Sequence, residues 1–214
     1  MSDETLKNDG RFAMKMKRGF DLLVCLLLTP LILPLFVVVA IAIKLDGGPV
    51  FFNASRAGKH KRNFLLLKFR SMVVNADEYL DEDGRPTRDR VTKIGKLLRR
   101  FSVDELPQVI NVLKGEMSII GPRPILPKDA DSIDPKFESR FDMLPGLTGL
   151  AQVSGRNTLP WNDRYVLDVK YVETFSLKND LAIFVKTFLV VLTGHGMVAD
   201  RNPDLARNLK DRSK

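Results

Sequence analysis

One cysteine in 214 residues, Cys25, leaves no partner for a disulfide within the chain, and nothing in the composition demands an oxidising compartment. The two histidines, His60 and His195, are too isolated to build a zinc site. Aromatic residues make up only 8% of the chain, a sparse supply of platforms for stacking bases. No nucleic-acid motif is present either, so nucleic acid is not expected as the partner. Also missing are a P-loop, the glycine fingerprint of a dinucleotide fold and the Gly-x-Ser-x-Gly elbow of a hydrolase. No internal repeat is visible.

What the chain has in excess is positive charge. Its 34 Lys and Arg against 26 Asp and Glu give a formal net charge of +8. That balance suits a polyanionic partner, such as an anionic membrane surface or a phosphorylated substrate. The second excess is an uncharged run of 22 residues, Leu22 to Ile43. As a straight helix it could just cross the hydrocarbon core of a bilayer. Lys15, Lys17 and Arg18 precede it, and Lys44, Arg56, Lys59, Lys61 and Arg62 follow. Basic flanks tend to stay on the cytoplasmic side, so a spanning helix would strand one of them. A segment bent at Thr29-Pro30 would enter and leave by one face, with arms of about 12 and 20 Å, each too short to span. A Thr hydroxyl can satisfy a carbonyl at such a break. A kinked spanning helix remains the alternative. The positive start and Ala40-Ile41-Ala42 imitate a signal peptide, but the run exceeds the usual ~7–15 residues of a signal core, so it is read as retained.

The length suits one soluble domain plus a membrane element. Residues 1–14 and the tail 200–214 are polar and read as flexible. Gly47-Gly48-Pro49 predicts a turn and Val50 to Asn53 a short strand. Residues 75–92 are densely charged, contain Gly84 and Pro86, and read as an exposed or mobile loop. Leu106, Val109, Ile110 and Leu113 follow the i, i+3, i+4, i+7 spacing of an amphipathic helix ending near Gly115. Gly121-Pro122-Arg123-Pro124 must be an irregular turn. Leu144 to Asn157 reads as loop or short strand, Tyr165 to Phe175 as helix, and residues 181–193 as a core or membrane-interface helix too short to span.

Two readings compete at Ser102-Val103-Asp104-Glu105. One is a capping box, with Ser102 as N-cap and Glu105 reaching back, although Pro107 fits that frame poorly. In the other, Asp104 is a carboxylate kept ionised by a positive helix end and by Arg99 and Arg100, able to attack phosphorus. Arg70, Arg123 and Arg156 stand beside turn-formers, where a guanidinium fork can be aimed at a diphosphate. Asp168 and Tyr171 share a helical face and could line a site or make a structural bond.

Several motifs then occur in order: Lys17-Arg18-Gly19-Phe20-Asp21, Lys68-Phe69-Arg70-Ser71-Met72, Ser102 to Gln108, Asn111 to Ser118 and Gly121 to Pro124. Pro145 to Asn157 and Leu167 to Val172 complete the series. It resembles the small monotopic phosphoglycosyl transferases, the bacterial sugar transferase family, over roughly residues 15–195. The resemblance implies transfer of a phospho-sugar from a UDP-sugar to undecaprenyl (polyprenol) phosphate with release of UMP. It also implies a covalent aspartyl phospho-sugar intermediate and Mg²⁺. Asp104 matches the family's nucleophile and metal-bearing carboxylate, and Glu105 its dyad partner. Lys68, Arg70, Arg123, Gln152, Arg156 and Asp168 fall around the donor and the phosphates.

The fold so implied is α+β and mostly helical. A re-entrant membrane helix-break-helix over residues 15–45, broken at Thr29 and Pro30, precedes a compact catalytic domain with interfacial amphipathic helices over 46–199. The domain would lie on the cytoplasmic face of the inner membrane, in contact with membrane lipid. Arg70-Ser71, Leu150 and Ser154 depart from the commoner Lys-Thr, Trp and Asn, and the departures at Leu150 and Ser154, which flank the donor loop, bear on sugar and base preference. Longer relatives carry extra amino-terminal membrane helices, so this chain is expected to be the minimal catalytic form. A membrane-tethered basic module without catalysis, or a nucleotide-sugar hydrolase, are the competing readings.

Overall fold

A computed structural model describes residues 3–81, 89–155 and 158–193, with side chains described within 12–190. Gly84, Pro86, His195 and the tail 200–214 lie outside the described residues. The chain opens with α1 (Asp3–Leu45), followed by β1 (Phe51–Ala57), β2 (Asn63–Phe69), α2 (Lys93–Arg100) and α3 (Gln108–Lys114). Then come β3 (Ser118–Ile120), α4 (Pro127–Asp131), β4 (Gly146–Thr148), α5 (Leu150–Ser154), α6 (Trp161–Glu173) and α7 (Leu177–Thr193). The described part is thus mostly helical, with a small antiparallel hairpin of β1 and β2 and a parallel pair of β3 and β4.

Where the sequence predicts a break at Thr29-Pro30, helical structure runs through Pro30 and Pro34 uninterrupted. Each proline removes one bond of the ladder and leaves its neighbours. The Thr29 hydroxyl adds one, donating to Cys25 O at 2.7 Å, one residue short of the Leu26 carbonyl that Pro30 orphans. The helix also begins earlier than expected, at Asp3, within the polar stretch read as a flexible lead.

One stripe of α1 faces the rest of the molecule. Lys17, Asp21, Val24, Cys25, Val39 and Ile43 are buried, and Leu28, Ile32 and Phe36 between them are half-buried. These positions recur every three or four residues, so they share a face. The opposite face is bare: Leu26, Leu27 and Leu31 are 65 to 73% exposed.

Both ends of the stripe are moored by polar contacts. Lys17 Nζ lies 2.6 Å from Asp180 Oδ2 on α7, and Tyr171 of α6 donates to the other oxygen at 2.8 Å. Asp21 accepts from the Ser118 hydroxyl and the Ile119 N–H at 3.0 and 2.9 Å. Arg18 donates to Val112 O and Leu113 O, occupying carbonyls at the end of α3. At the far end Arg70 Nη2 donates to Ile43 O at 3.1 Å and to Gly47 O, with Asp46 alongside.

The helix after Leu106 forms as expected, and Gly115 closes it at φ +83°, a conformation glycine adopts without strain. Its apolar residues divide, with Val112 fully buried and Val109 packed against the core. Ile110 and Leu113 are exposed, whereas Gln108 and Asn111 are buried. Periodicity identifies an apolar face without saying what medium covers it. The polar side turns inward because Asn111 completes the edge of β2. Its amide donates to Leu65 O at 2.8 Å and to Glu116 at 2.7 Å, and accepts from Leu67 N at 3.0 Å.

Leu144 to Asn157, read as loop or strand, divides into β4 and the short helix α5. Its glycines serve close approach: a Cβ on Gly146 would sit 2.1 Å from Gly121 N, closing off the β3–β4 contact. The apolar residues 181–193 belong to α7, which buries Ile183 and exposes Leu181, Val185, Phe188 and Leu189.

Asn111→Leu should lower the unfolding free energy by roughly 1–3 kcal/mol, since it leaves a part-buried carbonyl and N–H of β2 unpaired. Denaturant titration of the detergent-solubilised chain measures this, and a loss below about 0.5 kcal/mol would remove Asn111 from the scaffold.

Candidate active site

The capping box does not form. Ser102 takes φ +56°, its side chain makes no cap bond, and Pro107 rather than Ser102 precedes α3. Asp104 and Glu105 instead occupy a one-turn 3-10 helix, Val103–Glu105, wedged between α2 and α3 against β2. Strand β2 delivers Lys68, and the turn after β3 delivers Arg123. Both cations reach the same oxygen of Glu105, Lys68 Nζ at 2.8 Å and Arg123 Nη2 at 3.2 Å.

The two neighbouring carboxylates therefore have opposite environments. Burial would raise the Glu105 carboxyl, but Lys68 and Arg123 outweigh it and hold the group well below the usual carboxylate range. Asp104 is 8% exposed. Burial pushes its carboxyl above the ordinary value and the Glu105 charge adds to the shift, against the pull of Lys68 and Arg99. The arginine expected to keep Asp104 ionised, Arg99, does lower its proton affinity, and burial works against that pull. A pair of adjacent carboxylates with separated proton affinities can take separate roles.

Asp104 faces a cavity of about 1320 Å³. Its polar wall includes Lys68, Glu105, Arg123, Gln152 and Asp168, so the structure brings most of the sequence-selected residues together. Gln152 is buried, and both atoms of its amide lack a partner. Asp168 is paired with Arg140 at 2.7 Å. Arg70 also borders the cavity, with one arm of its guanidinium committed to the end of α1. Arg156 lies outside the described residues. Thr29 and Pro30 sit on α1, and the neighbouring Leu28 and Ile32, with Phe184 and Phe188 of α7, are apolar lining of the same cavity.

Sequence reasoning missed Arg56, Arg140 and Arg164, which line the cavity without any turn motif to mark them. Burial lowers the proton affinity of Arg56, and the charge of Arg123 lowers it further. Two guanidiniums that disfavour one another at a cavity wall suit an anion between them. Among the described residues no group of three His, Cys, Asp or Glu could cage a metal ion. Mg²⁺, though, commonly binds one or two carboxylates and completes its shell with substrate phosphates and water. Asp104 at the mouth of a cationic cavity fits that mode.

The chain is 40% identical over 211 residues to a UDP-galactose-lipid carrier transferase of Erwinia amylovora, covering 92% of the chain and 44% of that relative. It is 40% identical over 196 residues to the exopolysaccharide production protein ExoY of Sinorhizobium fredii, covering 84% and 87%. A third relative, the UDP-glucose:undecaprenyl-phosphate glucose-1-phosphate transferase of Caulobacter vibrioides, is 40% identical over 186 residues, covering 83% and 70%. The chain thus spans less than half of the Erwinia protein and most of the Sinorhizobium one. The profile of the bacterial sugar transferases matches residues 12–194, which takes in α1 from Phe12 onward, the carboxylate pair and every cavity-lining helix among the described residues. The chain belongs to the bacterial sugar transferase family.

Proposed function

We propose that the chain transfers a phospho-sugar from a UDP-sugar to undecaprenyl phosphate, releasing UMP and leaving a polyprenyl diphosphate sugar. The observation that carries this reading is the buried Asp104 beside a Glu105 that holds two cations, at a cavity with one cationic and one apolar wall. The relatives' names place UDP-sugars and undecaprenyl phosphate in the same chemistry.

In the first step an Asp104 oxygen attacks the phosphorus that bears the sugar. A new O–P bond forms, the bridging P–O bond breaks, and UMP departs with the electron pair. In the second step a phosphate oxygen of the polyprenol phosphate attacks the aspartyl phospho-sugar and Asp104 leaves as a free carboxylate. Neither step needs a proton donor. Glu105, held ionised, acts by fixing Lys68 and Arg123 where the diphosphate charge must be offset. Asp104 and diphosphate oxygens would hold Mg²⁺, which when bound supplies further neutralisation of that charge.

A re-entrant arrangement on the cytoplasmic face is part of the proposal. A spanning helix would carry its ends to opposite faces of a hydrocarbon core about 30 Å thick. Yet Lys17 and Arg18 before the apolar run, and Ile43 and Gly47 at its end, bind the same small domain. The bare face of α1 and the exposed Ile110, Leu113, Val185 and Phe188 would then rest in lipid. UDP-sugars are cytosolic, which sets the side.

Asp104→Asn should cut UMP release by at least roughly a thousandfold while membrane binding persists. Undiminished turnover would sink the nucleophile assignment, and continued UMP release without lipid acceptor, beyond one UMP per enzyme, would point to a hydrolase. Wild-type protein given labelled UDP-sugar alone should retain label on Asp104 in peptide mass spectrometry; a strict need for both substrates would replace the covalent route by direct displacement.

Only ionised Asp104 attacks, and its proton affinity is raised, so the acid limb of kcat/KM should lie above the ordinary aspartate value of 3.8. Lys68→Met removes a lowering charge and should move that limb to higher pH. A limb that moves down, or stays, contradicts the assignment. For topology, Met14→Cys and Leu45→Cys in a Cys25→Ala background should both react with an impermeant maleimide from the cytoplasmic side. Labelling from opposite sides would restore the spanning helix.

A further inference from the structure

The Gly121-Pro122-Arg123-Pro124 turn belongs to no helix or strand beyond β3, so each of its backbone groups needs a separate partner. Gly121 N–H donates to Thr148 O and Pro122 O accepts from Gly146 N–H, both at 2.9 Å. Neither proline has an N–H, which leaves Arg123 with the only backbone donor between Gly121 and Ile125. That N–H stands near enough to the Asp168 carboxylate to lower its proton affinity. The Arg123 carbonyl accepts from Arg140 Nη2 at 2.7 Å, and the same nitrogen lies 2.7 Å from Asp168 Oδ2. Arg140 comes from the 3-10 turn Pro135–Phe141 and Asp168 from α6, so two separate elements converge on the backbone of one residue.

We infer that the Arg140–Asp168 pair is a clamp on the backbone of Arg123, gripping its carbonyl and so positioning its guanidinium for Glu105 and for a substrate phosphate. The pair is sealed from water, each side chain 2% exposed. The Arg140 guanidinium lies 5.1 Å from the rings of Phe141 and Tyr165, which fix its plane. A buried ion pair is weak evidence of stabilisation, since apolar residues often replace one without loss. Here its hydrogen bonds end on a residue whose own side chain is 37% exposed and cannot be aimed by packing alone. Glu105 holds the tip of that side chain, and the bond to the Arg123 carbonyl anchors the base. Asp168 is accordingly a positioning residue, acting through Arg123.

This inference rests on the transfer reading only for its kinetic arm. The full chain in nanodiscs would be prepared as wild type, as Arg140→Met/Asp168→Leu, as Arg123→Ala, and as the triple variant. Removing both charges together avoids leaving one buried and alone. In UMP release the pair variant should lose roughly tenfold or more in kcat, and the triple variant should lose no more than Arg123→Ala. Losses that multiply in the triple variant would overturn the clamp, because a scaffold defect acts independently of Arg123. So would a pair variant as active as wild type. Arg140→Lys, which keeps a donor within the pocket, should recover part of the loss; no recovery counts against the clamp. The second arm needs no turnover. Amide hydrogen exchange at Arg123 should quicken at least tenfold in the pair variant, with β3 still protected. Unchanged exchange overturns the clamp. Absence of UMP release by wild-type protein across a panel of UDP-sugars with polyprenol phosphate would overturn the transfer reading, and exchange at Arg123 would still decide the clamp.

Discussion

A carboxylate that approaches a diphosphate is repelled by it, and cations gathered to relieve that repulsion repel one another. Glu105 resolves both difficulties from one position. A single oxygen draws Lys68 from a strand and Arg123 from an irregular turn. Without it, burial would work against each cation, as the lowered proton affinity of Arg56 beside Arg123 illustrates. The neighbouring Asp104 is left out of this pairing. It keeps a carboxyl whose proton affinity burial has raised, and so a more basic oxygen than Glu105 offers.

The second constraint is the placing of α1. Lys17 and Asp21 are charged residues in a buried stripe, a costly position unless every polar atom finds a partner. Their partners are spread over α6, α7 and β3, so α1 is joined to the elements that frame the cavity. Arg70 performs the corresponding task at the far end. The mooring is polar at both ends and apolar between them, through Val24, Cys25, Phe36 and Val39.

Much of this was legible in the sequence where chemistry or a forbidden conformation narrowed the choices. Asp104-Glu105 stood beside arginines, and Gly-Pro-Arg-Pro could only be a turn. The uncharged run could only be a long apolar element. Other features depend on what meets what in space. The stripe on α3 was correct as a face, and nothing local shows that Asn111 would be called inward to complete β2. Pro30 and Pro34 have the intrinsic cost of helix breakers, but tertiary packing on both sides of them holds one continuous helix. Arg140 sits in an ordinary polar stretch, and its importance comes from a partner 28 residues away. The capping box failed because Pro107, two residues after Glu105, moves the start of the helix beyond the motif.

Leu28 and Ile32 place the middle of α1 on the wall of the chamber that Asp104 faces. A segment that looks like an anchor is thereby also a piece of the reaction vessel. Cutting it away to obtain a more tractable protein would open one side of that vessel to water and strip the lid from the apolar half. On the proposed reading the two faces of α1 answer to different surroundings, lipid on the bare side and substrate on the side of Leu28 and Ile32.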